Sequence, residues 1–406
     1  MKLANAIEIK SRFSSSINLE RDTTKGSLSG YIPTGRALDV VRRLAHGVAD
    51  SSLGRSISIT GPHGGGKSSL AVFIDCLVSP NSSKEYKDAV ALLKEFDAEL
   101  ARYWIESIKN LRGSSSGFYK AVATANREPI IVSLLRALQR ATEEKTGPNS
   151  ALHKKINAIN IEGDIDPHTI LSLVKELASI KPIIFVVDEF GKNLEAYVDS
   201  PAKGDPYILQ ALSELGQGSE ALPIFIITLQ HLSFDEYVQG TTVAQRREWA
   251  KIQGRFQDIP FIESALQSRR LVASVFTQKD SSIKTRYKKW LDANKSLINE
   301  SGLGDIAKSS DTLSAFPLDP LTLAVLPPLC SRYGQNERTL FSFLASKEKS
   351  SVASYMAEKE ISKTGDLEFV GLDRVYDYFL ESASTLLSTS TTASRWLEIE
   401  TRIRDA

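Results

Sequence analysis

The hydrophobic positions change their period along the chain, and the changes mark out elements. Leu38, Val41, Leu44 and Val48 recur at steps of three and four, which predicts an amphipathic helix over 37–49. Ser51, Ser52 and Gly54 end it, and a short strand over 56–60 runs directly into a glycine-rich segment at 61–66. The helical period resumes over 67–78 and again between 81 and 117, closing on a Gly/Ser loop at 113–117. A strand over 118–124 follows. Pro129 suits the first turn of a helix reaching about 144, and after a break at 146–149 Asp166 and Pro167 open another over 167–179. The run 183–187 is apolar without interruption and 224–228 is apolar up to Thr228, the pattern of strands buried on both faces of a parallel sheet. Helices alternating with such strands predict a three-layer α/β sheet. Beyond 262 the strand signals fade, and helical patterns over 262–290, 320–333, 337–347 and 371–388 predict an all-α second domain. The expected organisation is a polar lead-in at 1–35, a core domain at 36–262 and a helical domain at 263–406, with a charged helix over 395–404.

Composition narrows the classes. With 42% hydrophobic and 24% charged residues in a chain of 406, disorder, collagen-like repeats and a disulfide scaffold are excluded. The formal charge of +1 excludes a protein that coats nucleic acid or anionic lipid through bulk electrostatics. Cys76 and Cys330 stand in apolar surroundings and form neither a CxxC pair nor a metal-ligand spacing, so both read as buried free thiols. Lys2, Glu8, Lys10 and Arg12 interrupt the first residues, which rules out the apolar core of a signal peptide, and no run approaches the ~18 apolar residues a membrane span needs. A soluble, cytoplasmic chain with no membrane partner is expected.

The chemistry concentrates at 61–68. Gly61, Pro62, His63, Gly64, Gly65, Gly66, Lys67 and Ser68 fit G-x-x-x-x-G-K-[ST] at every fixed position, between an apolar strand and a helix. Glycines let the backbone curl around phosphate oxygens with its N–H groups inward, and the helix that starts at Lys67 adds the positive end of its dipole. Lys67 is the candidate contact to the β- and γ-phosphates of ATP, Ser68 the candidate ligand of Mg²⁺, and Ser69 lies beside them at the start of the helix. The apolar run at 183–187 delivers Asp188 and Glu189 to its carboxyl end: Asp188 as the second Mg²⁺ partner, Glu189 as the base for the attacking water. Glu directly after Asp points to P-loop proteins with a strand inserted between the two motif strands, for which 118–124 is the candidate. Gln230 or His231, at the end of the 224–228 strand, is expected to orient the lytic water if that strand neighbours both motif strands.

Further segments resemble those of AAA+ and STAND-like P-loop ATPases. Residues 254–261, with Arg255, resemble the stretch before the last core strand of AAA+ proteins, where an arginine reaches across a subunit boundary. Residues 334–338, with Arg338 opening a helix, resemble the second sensor, which touches the γ-phosphate from a helical lid. Lys67, Asp188, Gln230 or His231, Arg255 and Arg338 occur in the AAA+ order, and the resemblance covers roughly residues 30 to 345. Within the superfamily, residues 249–256, 316–322 and 334–344 look like segments of the large ATPases of bacterial phage-defence systems, the BrxC/PglY group of BREX. The resemblance implies a homo-oligomeric ATPase in which Arg255 completes a neighbour's site, working with other defence proteins. Members of that group continue far beyond 406 residues.

From Arg246 to Lys289, eleven Lys/Arg stand against Glu248, Asp258, Glu263 and Asp280, a local excess that could track a DNA backbone or form a solvated face or a subunit boundary. An ATP-hydrolysing motor or switch is the leading reading. A nucleotide-gated scaffold or sensor with little turnover, recruiting partners or DNA, is the alternative.

Overall fold

The computed structural model describes residues 2–10, 19–22, 28, 30–143, 151–200, 206–218, 220–333, 337–362 and 366–386. The break at 146–149, residues 334–336 and the helix expected over 395–404 lie outside them. Among the described residues are seven strands: β1 (Ile7–Ile9), β2 (Ser56–Thr60), β3 (Tyr119–Thr124), β4 (Ile183–Asp188), β5 (Ile224–Gln230), β6 (Gln257–Pro260) and β7 (Phe276–Gln278). The chain forms two compact units, Ile17–Ile262 and Met1–Ser16 with Glu263–Ala406.

The unit Ile17–Ile262 is built on a five-stranded parallel sheet in the order β3-β4-β5-β2-β6. Its central strands are buried because helices cover both faces, and successive apolar side chains of β4 and β5 enter opposite cores. In β5, Ile224 and Ile226 join one core while Phe225, Ile227 and Leu229 join the other; in β4, Phe185 and Val187 separate from Ile184 and Val186 in the same way. The first core takes helices Ile130–Glu143, Pro167–Ile180, Tyr207–Leu215 and Val243–Gln253. The second takes Gly35–Ala49, Lys67–Leu77, Lys84–Phe96 and Ala98–Lys109. The helix boundaries follow local chemistry. Thr34 caps the first helix through Ala37 N–H, and Asp166 caps the helix that Pro167 opens, accepting from His168 and Thr169 N–H.

The sheet order corrects the position expected of 118–124. That strand is the outer neighbour of β4, and the strand lying between β2 and β4 is β5, paired to both. The sequence shows insertion along the chain, whereas spatial order depends on how crossovers pack. β5 also runs two residues past the apolar stretch, so Gln230 belongs to the strand and His231 follows it.

In the other unit the helices Ala265–Val275, Ser281–Ala293 and Pro320–Tyr333 are prominent, and the helical pattern expected over 262–290 resolves into two helices separated by the strand β7. β7 pairs antiparallel with β1, Ile7 opposite Gln278 and Ile9 opposite Phe276. The stretch read as lead-in therefore supplies a strand to this unit, a pairing across more than half the chain that local periodicity cannot announce. Tyr287 anchors the helices by donating its buried hydroxyl to Leu318 C=O at 2.9 Å. Cys76 and Cys330 are both buried thiols outside any disulfide. Among the described residues no helix is long and apolar enough to cross a membrane.

Candidate functional site

The phosphate-loop candidate leaves the carboxyl end of β2 and closes at the helix Lys67–Leu77. Gly64 and Gly66 have φ of 71° and 80°, a backbone region that side chains with a Cβ disfavour, and Gly66 is the residue from which the helix starts. Gly61 is held by proximity instead: a Cβ there would lie 2.5 Å from Phe261 C=O. Its N–H donates to Gln230 C=O at 3.1 Å, tying the loop to β5. Lys67, 6% exposed, folds back over the loop and donates to Gly61 C=O at 2.6 Å and Pro62 C=O at 2.8 Å.

Asp188 sits at the carboxyl end of β4, two strands away from the loop, and the structure joins them. Ser68 Oγ donates to Asp188 Oδ2 at 2.8 Å, and Glu189 N–H donates to Oδ1 at 2.8 Å. Burial pushes the Asp188 carboxyl above the ordinary carboxylate range, opposed by those two hydrogen bonds and by Lys67. A hydroxyl and a buried carboxylate in contact are hard oxygen donors that fit Mg²⁺, which takes few protein ligands and completes its shell with waters and phosphate oxygens. Among the described residues no group of three or more His, Cys, Asp or Glu could hold a metal by itself. Ser69 is half-buried in the first turn of the same helix.

Glu189 has a φ of 53°, the positive value a non-glycine residue rarely takes, and its carboxylate pairs with Lys192 on the following turn. A Cβ at Gly191 would collide with the phenol of Tyr237 2.0 Å away, so this turn is packed down onto the helix that follows β5.

Gln230 is fully buried, and neither its Nε2 nor its Oε1 has a hydrogen-bond partner. Such an amide costs roughly 1–3 kcal/mol per unmade bond, so a polar ligand or water belongs beside it. Thr228 Oγ1 and Ser58 Oγ, opposite each other across β5 and β2, are likewise buried and unpartnered. His231 meets the loop: its ring lies 3.2 Å, centroid to centroid, from that of His63. The structure thus gives the two candidates at the end of β5 different places, Gln230 inside the sheet and His231 against the loop.

Arg255 lies before β6, whose first residue pairs with Ile57, at the amino end of the sheet and opposite the end from which the 61–68 loop leaves. It pairs with Glu214, Nε donating at 2.9 Å, and donates to Lys251 C=O at 3.0 Å, while Asp258 accepts from Thr60 Oγ1 at 3.1 Å. Arg338 lies in the first turn of the helix Glu337–Ala345, in the other unit. The basic segment 246–289 crosses the division between the units, and several of its cations are already paired: Lys251 with Glu248, Arg255 with Glu214, Arg270 with Asp311, Lys279 with Glu8.

Two residues at or beside the loop, His63 and Lys192, have no role that the sequence assigns. His63 occupies a free position of the glycine motif, and Lys192 follows Glu189 at helical spacing; only the fold gives either a neighbour.

A parallel sheet whose loop-bearing strand and acidic strand flank a third strand, with hydroxyl and carboxylate meeting across it, is a P-loop fold of the AAA+/ASCE type. Comparison with family models and with curated proteins returns no match. Among solved structures, the Aeropyrum pernix ORC2 protein in its ADPNP–ADP complexes is 15% identical, over 89% of this chain and 73% of that one, with a TM-score of 0.38. The ADP form of the same protein is 15% identical over 91% and 75%, with a TM-score of 0.40. The fold assignment rests on the strand order and not on these likenesses, and the phage-defence resemblance on the three sequence stretches alone.

Proposed function

We propose that the chain binds Mg²⁺-ATP at the 61–68 loop and hydrolyses it, as the motor or switch subunit of a homo-oligomer. The observation that carries this reading is the 2.8 Å hydrogen bond from Ser68 to Asp188, which unites two motifs 120 residues apart. Lys67 exchanges the carbonyls of Gly61 and Pro62 for phosphate oxygens, and the loop N–H groups are offered to the same charge. Ser68 and Asp188 hold the magnesium. Bound Mg²⁺ neutralises charge on the phosphates during transfer. Glu189, freed from Lys192, accepts the proton of the attacking water, and the unpartnered amide of Gln230 orients that water or a γ-phosphate oxygen.

Arg255 serves a neighbouring subunit in this reading, because its place at the amino end of the sheet puts it out of reach of its own loop. Arg338 is assigned to the γ-phosphate by resemblance, and the defence role likewise. DNA contact through 246–289 is the less supported part, since four of its cations are engaged with carboxylates. The Glu189–Lys192 pair favours a second reading, a nucleotide-gated switch with slow turnover, because a base held by a lysine is withdrawn from water. Steady-state ATPase assays on the wild type and Glu189→Gln separate the two: rapid turnover lost in the variant supports the motor, and tight retention of uncleaved ATP by the wild type supports the switch.

A further inference from the structure

The imidazoles of His63 and His231, in ring contact at the loop, have no role in the phosphate-binding reading. His63 is exposed on the loop, while His231 Nδ1 is buried without a hydrogen-bond partner. At 3.2 Å between centroids and 34° between planes, the rings lie tilted against each other, an arrangement two imidazolium ions could not keep. Lys67 faces both rings from the helix Lys67–Leu77, Glu189 and Lys192 come from the turn after β4, and the phenol of Tyr237 faces the His231 backbone. Two histidines, two lysines and one glutamate thus crowd the mouth of a loop whose backbone is arranged for anions.

We propose that His63 and His231 are a second, proton-carrying phosphate contact: packed ring against ring as seen here, the pair takes one proton from solvent when a nucleoside triphosphate enters and offers it to the phosphate oxygens. The inference rests on the nucleotide-binding reading above. Burial, and then the Lys67 charge, lower both imidazoles, His231 to about 4, so that both rings are neutral near pH 7 without nucleotide. A polyanion beside them reverses the balance and favours the charged form. One proton suffices for the pair, because a second would sit against the first. Binding should therefore take up protons and tighten as pH falls through the interval between the free and the bound values, by up to about tenfold per pH unit at full linkage.

The test is calorimetric titration of the full chain with a non-hydrolysable ATP analogue and Mg²⁺ at pH 6.5, in two buffers of different ionisation enthalpy. The wild type should take up more protons than His63→Gln and His231→Asn, each titrated identically, so that the nucleotide's own ionisation cancels. The excess should approach one proton as pH falls. His63 is exposed, so His63→Gln is expected to fold; following the histidine ring resonances of ¹³C-labelled wild type on nucleotide addition gives the same answer without a substitution. Equal proton uptake in all three chains, or histidine resonances that stay neutral when nucleotide binds, overturns the proposal and leaves the nucleotide site standing. A wild type that binds no nucleotide overturns both.

Discussion

Glu189 turns its backbone to a φ of 53° and closes its carboxylate on Lys192, three residues further on. The residue proposed as base is thus positioned twice, by a strained backbone conformation that costs on the order of 1–3 kcal/mol and by an ion pair. The pair is nearly half exposed, and such contacts are weak, so a bound γ-phosphate can compete for either partner. Lys192→Met should raise turnover several-fold with little change in nucleotide affinity if the lysine only restrains Glu189. A fall in affinity in place of that rise would assign Lys192 to the phosphates.

Asp188 supplies a stability test whose sign is fixed. Its folded carboxyl is raised above the ordinary carboxylate value by burial. The ionised form is therefore disfavoured in the fold, and stability declines as pH rises from the unfolded value through the raised one. Asp188→Asn removes that cost. The thermal midpoint at pH 7, measured without nucleotide or metal, should rise by about 2 °C or more, while Mg²⁺ ceases to tighten ATP binding. A lowered midpoint with Mg²⁺ dependence intact contradicts the assignment.

Gln230 separates function from folding in the same way. Two amide atoms buried without partners are a burden, and leucine fills a similar volume without polar groups. Gln230→Leu should stabilise the chain by about 1 kcal/mol or more, seen as a shift in the urea midpoint, and should lower turnover. Stability lost with turnover unchanged would make Gln230 an ordinary core residue.

Arg255 is tested by mixing. If it completes a neighbour's site, Arg255→Ala and Lys67→Ala chains should each be nearly inactive and should recover part of the ATPase activity when combined. No recovery at any ratio leaves Arg255 as the partner of Glu214 within its own unit.

Much of this architecture was legible before the fold was known. The glycine motif at 61–68 and the strand ending in Asp188 are local patterns: glycines at fixed spacing, and an apolar run buried on both faces. The strand over 118–124 was found but not its place, because spatial order in a parallel sheet is decided by crossover packing. The β1–β7 ribbon was missed because it joins Ile7 to Gln278, with no local period to mark a three-residue strand. Gln230 and His231 stood as equals in the sequence; the two extra residues of β5 set one inside the sheet and the other against His63. Lys192 and His63 carry no signal beyond their residue type, and their proximity to Glu189 and His231 is a product of tertiary structure.

Equilibrium binding of labelled ATP to the wild type, Lys67→Ala and Ser68→Ala, with and without Mg²⁺, tests the central claim most directly. The geometry of Ser68 and Asp188 predicts one ATP per chain, tightened by Mg²⁺, with binding lost in Lys67→Ala and the Mg²⁺ effect lost in Ser68→Ala. Binding that is absent in the wild type, or indifferent to both substitutions, would contradict it.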